Sequence, residues 1–120
     1  MSNDLDSARA DEVMRRIDAQ LAHVWMVRTF LKHSEEGEED EELQEIYRTL
    51  YDYAHALGGP WQAKNAAAYL KQARKKYGKL SAAMQRFAET QPEISSHTNF
   101  QMAATSLRSA VERIGELLGR

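Results

Sequence analysis

A chain of 120 residues, 42% hydrophobic and 28% charged, holds enough apolar surface for one self-standing core and too little length for two ordinary domains. Its formal net charge of −2 argues against a strong general pull on nucleic acid or anionic lipid, and no apolar run approaches the roughly 20 residues that span a bilayer. The absence of cysteine excludes disulfides, thiolate nucleophiles and zinc–cysteine sites; with no signal-peptide pattern at the start, the expected location is the cytoplasm.

Residues 1–6 read as a flexible arm ahead of a first helix over about 7–34. Asp6 or Ser7 would cap that helix, because a short side-chain oxygen can accept from an otherwise unpaired N–H of the first turn. Val13, Met14, Ile17, Leu21, Val24 and Leu31 recur at three- and four-residue steps and make its core stripe. Lys32 and His33 fall in the last turn, where cations complement the helix dipole. A charged loop, Glu35 to Glu39, leads to Asp40 as the cap of a second helix over 40–57. Leu43, Ile46, Tyr47, Leu50, Tyr53, Ala54 and Leu57 are its stripe.

Gly58-Gly59-Pro60 reads as the sharpest turn in the chain, with glycine past a helix end and proline opening the next. The third helix should run over 60–90, kinked or split near Gly78 if at all, since its apolar stripe keeps its phase across that glycine. Gln91-Pro92 marks the last break. Thr98-Asn99-Phe100-Gln101 has the spacing of a capping box opening a fourth helix over 98–118. Four amphipathic helices joined by short connections, with no credible strand, predict an all-α, antiparallel up-down-up-down four-helix bundle in one domain. Alanine-rich stripes on the third and fourth helices predict close approach of those two.

Catalytic and metal chemistry find little purchase. None of the four histidines stands three residues after a glutamate, the pairing that helical metal sites use; Asp52 before His55 comes nearest and points off the stripe. No serine lies in a strand-turn-helix elbow and no glycine-rich phosphate loop precedes a helix. Neither a cofactor nor an enzyme activity is expected. Eight acidic residues between Glu35 and Glu45 lack the alternating ligands of a calcium loop and read as a solvated approach to a helix N-terminus. Six basic residues between Lys64 and Lys79, four of them sharing a face, read as a solvated helix side, because the acidic helix beside them would repel phosphate.

Two oddities carry the functional expectations. Arg28 projects between Leu21 and Val24 on the core stripe of the first helix, where a guanidinium must find partners or stay wet. It is either a structural arginine that reaches water or bonds a tyrosine and a carbonyl, or the centre of an anion pocket with Arg74, Tyr47 and Tyr77. The second oddity is a back strip, Ala19, Ala22, Met26 and Phe30, on the side of the first helix away from Ile17 and Leu21. Another segment of the chain could cover it. The favoured expectation is a homodimer interface, making the chain a small non-enzymatic interaction module; a separate protein partner is the other possible use of such a surface. Nucleic acid and membrane are not expected partners.

Overall fold

A computed structural model describes residues 2–120, with side chains from Asp6 onward. All regular structure among the described residues is helical: α1 (Ser2–Lys32), α2 (Glu35–Glu39), α3 (Glu41–Gln62), α4 (Ala66–Ile94) and α5 (Thr98–Leu117). At about 1.5 Å per residue the 31 residues of α1 and the 29 of α4 each need some 45 Å, which only the 53 Å axis of a 53 × 22 × 19 Å molecule accommodates. The long helices therefore lie along that axis. α1 packs against α3, α4 and α5, α3 against α4, and α4 against α5.

The stripes read from the sequence form the core. Ile17, Val24, Leu31, Leu43, Ile46, Leu50, Leu57, Tyr69, Phe87, Leu107 and Ile114 are fully enclosed. Each such aliphatic or aromatic side chain stabilises the fold by roughly 1.5–3 kcal/mol relative to exposure. Small residues set the helix spacing. Ala73 and Ala110 are buried, and Gly115 lies directly under the Tyr77 hydroxyl, where a Cβ would have no room.

Several boundaries differ from the sequence expectation. Residues 2–6, expected as part of an arm, belong to α1; Met1 lies outside the described residues. No breaker separates them from the helix, and Glu12 pairing with Arg15 and Arg16, both at 2.9 Å, supports the turns that follow. The expected 35–39 loop is the short helix α2. Ser34 caps it by accepting from the Gly37 N–H at 2.9 Å, and Gln44 donates back to the carbonyls of Gly37 and Glu38. Asp40 does cap α3, accepting from Leu43 N–H at 2.9 Å.

The turn expected at Gly58-Gly59-Pro60 is not there. α3 continues to Gln62 with Pro60 inside it. The break falls at 63–65 instead, where Lys64 takes a left-handed φ of 54° and Asn65 accepts from Ala68 N–H at 3.0 Å. Proline's φ is itself helical, and although Pro60 forfeits one hydrogen bond and crowds the carbonyl four residues back, Gly59 before it carries no Cβ to meet its ring, and Asn65 supplies the side-chain cap of the next helix. α4 is unbroken at Gly78 and passes through Pro92 to Ile94. There the Gln91 side chain, buried, donates to the Ser95 carbonyl at 2.8 Å and closes the helix end. The expected capping box at Thr98 is also replaced. His97 caps α5, its Nδ1 accepting from Asn99 N–H at 3.0 Å, while Gln101 donates to the Ser96 carbonyl.

Candidate functional site

Helical spacing builds one unusual face between α1 and α3. On α1, Trp25, Arg28 and Lys32 stand at i, i+3 and i+7; on α3, Tyr47, Tyr51 and His55 stand at i, i+4 and i+8, with Arg48 beside them. The Arg28 guanidinium carbon lies 4.7 Å from the Trp25 ring centre and 5.0 Å from that of Tyr51. The two rings are themselves 6.0 Å apart, and Tyr51 stacks on His55 at 5.6 Å with planes only 13° apart. Trp25 and Tyr51 nonetheless stay 40% and 38% exposed.

The electrostatics of this face are incomplete. Arg15, Arg16, Arg86, Arg108 and Arg113 each pair with a glutamate, but among the described residues Arg28, Lys32 and Arg48 make no ion pair. Arg28 Nε is shut away from water with no hydrogen-bond partner, as is Oγ1 of its neighbour Thr29. The rings offset part of the cost, since a cation over an aromatic face gains about 0.5–1 kcal/mol at such sites. They do not supply an acceptor. Arg28, Lys32, Tyr47, Arg48 and Tyr51 line an open groove of about 170 Å³.

Of the residues expected around Arg28, only Tyr47 is there. Tyr77 instead donates its hydroxyl proton to the Val111 carbonyl at 3.0 Å, under the Arg120 guanidinium. Arg74 offers its carbonyl to Arg120 at 2.9 Å. Both therefore belong to the neighbourhood of Arg120 and α5. Trp25, Lys32, Arg48, Tyr51 and His55 were missed by sequence reasoning. The signal was present as two short periodic sets, but neither helix alone reveals that they face each other.

The back strip is divided. Ala19 and Ala22 are exposed and Met26 is 63% exposed, whereas Phe30 is half-buried, meeting Phe100 edge-on at 5.0 Å. Lys64, Lys71, Lys75 and Lys79 are all exposed, as the solvated-face expectation has it.

The buried tyrosines explain their own perturbation. Burial pushes the hydroxyls of Tyr53 and Tyr69 well above the ordinary phenol range and raises that of the partly buried Tyr77. Tyr53 donates to the Ala73 carbonyl and Tyr69 to Asp18 Oδ1 at 2.9 Å, so these groups hold helices together. A larger cleft, about 400 Å³, opens among Asp11, Met14, Arg15, Trp61 and Lys64. Its charges are balanced, since Arg15 is paired with Glu12 and Asp11 lines the cleft with Lys64. No helix of the described residues is long and apolar enough to cross a membrane. No protein-family model, curated protein or solved structure matches the chain.

Proposed function

We propose that this chain is a non-enzymatic helical binding module whose working surface is the α1/α3 face, and that the surface takes an anionic group. The observation that carries the reading is the convergence of three cations, with no acidic residue, on one groove; the unpaired Lys64, Lys71, Lys75 and Lys79 lie on an exposed face instead. Arg28, Lys32 and Arg48 line one groove without an ion pair among the described residues, in a chain whose acidic residues outnumber its basic ones, 18 to 16. Like charges held together raise the local potential, and a carboxylate or phosphate in the groove relieves it. A thermal-shift series with phosphate, pyrophosphate and citrate tests this. The wild-type protein should be stabilised in proportion to anion concentration and Arg28→Met should not respond; an equal response in both would remove the groove from the account.

We read the scaffold as an antiparallel up-down-up-down bundle of α1, α3, α4 and α5. Three contacts support that topology: Phe30 near the end of α1 against Phe100 at the start of α5, Tyr53 of α3 to Ala73 of α4, and Tyr77 of α4 to Val111 of α5. The lack of cysteine supports a reducing compartment such as the cytoplasm.

A second reading, homodimerisation through the outer side of α1, is favoured by the exposure of Met26 between two small residues of the strip and Phe30. A two-fold axis beside Met26 would bring two such strips together. Met26→Glu is the appropriate probe, because Phe30 also packs within its own chain. Light scattering at tens of micromolar should then give a dimer for the wild type and a monomer of unchanged helicity for the variant. A monomeric wild type ends this reading.

A further inference from the structure

The rings on the α1/α3 face restrict which anion fits it. We infer that the face takes a mononucleotide-like ligand, with a phosphate held by Arg28, Lys32 and Arg48 and a flat heteroaromatic ring stacked on the exposed Trp25, on the side away from Arg28; this rests on the reading of the face as an anion site. An inorganic anion would need only the cations. Trp25, left 40% exposed beside those cations, offers flat apolar surface that a bare anion does not use. Arg28 lies over both rings and thereby joins the charged and the flat parts of the surface. Stacking of a heteroaromatic base on such a ring tolerates many bases, because each presents a π face.

Size and charge decide between a free nucleotide and a strand. The groove's 170 Å³ is below the roughly 300–1,000 Å³ of pockets that enclose a small molecule, so the ligand lies across the face with its phosphate in the groove. Lys32 ends α1, and α2, which packs against both α1 and α3, begins three residues later with Glu35, Glu36, Glu38 and Glu39. Four carboxylates in the segment that follows Lys32 oppose a polyanion at that end. A polyanionic strand running along the groove would meet them; a ligand with one phosphate need not.

The test uses the full chain carrying Trp61→Phe, which leaves Trp25 as the lone tryptophan. Titration with adenosine monophosphate should quench Trp25 fluorescence saturably, with a dissociation constant on the order of 0.1 mM for so open a site. By calorimetry, ribose 5-phosphate should bind at least about fivefold more weakly, the loss expected when one stacked base is removed. Trp25→Ala should weaken adenosine monophosphate by a similar factor and change ribose 5-phosphate far less; Arg48→Gln, at an exposed position, should weaken both. Equal affinity for the two ligands overturns the nucleotide inference and leaves the anion site standing. Binding of neither overturns both. Ten-nucleotide single-stranded DNA binding more than about tenfold tighter than the mononucleotide at the same salt overturns it in favour of a strand.

Discussion

Arg28 shows how a single side chain can be near neutral for stability and decisive for binding. Its unpartnered Nε costs about 1–3 kcal/mol, and its two ring contacts return about 0.5–1 kcal/mol each. Arg28→Met removes both terms, so urea unfolding should move by no more than about 1 kcal/mol in either direction. A loss of several kcal/mol would mean that the arginine holds the fold. Asp18 makes a separate prediction. Burial raises its carboxyl above the ordinary range, against the opposing hydrogen bond from Tyr69. A raised folded value means that the stability from this group is present at low pH and is lost as pH climbs through that value. Asp18→Asn, whose amide oxygen still accepts from Tyr69, should therefore gain on the wild type between about pH 3 and pH 7; a constant gap in urea midpoints would contradict this. The sequence located Arg28 and Tyr47 but not their surroundings. Periodicity gives the side of a helix a residue occupies, and Tyr53 and Tyr77 sit on the expected stripes, yet it does not say that their hydroxyls go to the carbonyls of Ala73 and Val111.

The helices themselves were legible because apolar residues recur at their period. The buried residues of α3 fall on the expected stripe and those of α5 do so except Gly115, whereas on α4 Tyr69, Ala83 and Gln91 are buried off the stripe and Ala67 and Ala88, placed on it, are exposed. Their ends were harder. Gly58, Gly59 and Pro60 carry turn signals, but a cap three residues beyond, Asn65 with Lys64 at positive φ, wins the competition. This has a measurable consequence. Gly58 is helical and a Cβ there meets open space, so Gly58→Ala should stabilise by about 0.5–1 kcal/mol in denaturant unfolding, whereas Gly59 precedes Pro60, whose ring crowds a Cβ on a helical residue before it, and Gly59→Ala should bring no such gain. Were the chain to turn at these glycines, Gly58→Ala would destabilise. Gly115→Ala has the opposite sign. Its methyl would strike the Tyr77 hydroxyl and force apart α4 and α5, costing about 1–3 kcal/mol. Tyr77→Phe alongside it should relieve part of that cost, since the striking atom is then gone.

For the molecule as a whole, charge is divided along the chain: the acidic run from Glu35 to Glu45 spans α2 and the start of α3, and the basic run from Lys64 to Lys79 spans the break before α4 and its first half. The net charge of −2 hides that division, and it also hides the three unpaired cations between α1 and α3. This is why the binding surface could not be read from composition. It forms only when two helices from different parts of the sequence meet. Because the groove is open, its anion affinity should fall as salt is raised from 50 to 200 mM, as screening weakens exposed charge. The most direct test is a two-dimensional ¹H–¹⁵N NMR titration of the wild-type protein with pyrophosphate. The account predicts that shifts concentrate on Trp25, Arg28, Lys32, Tyr47, Arg48 and Tyr51; shifts centred on Lys64 to Lys79 of α4, or none at millimolar ligand, would contradict it.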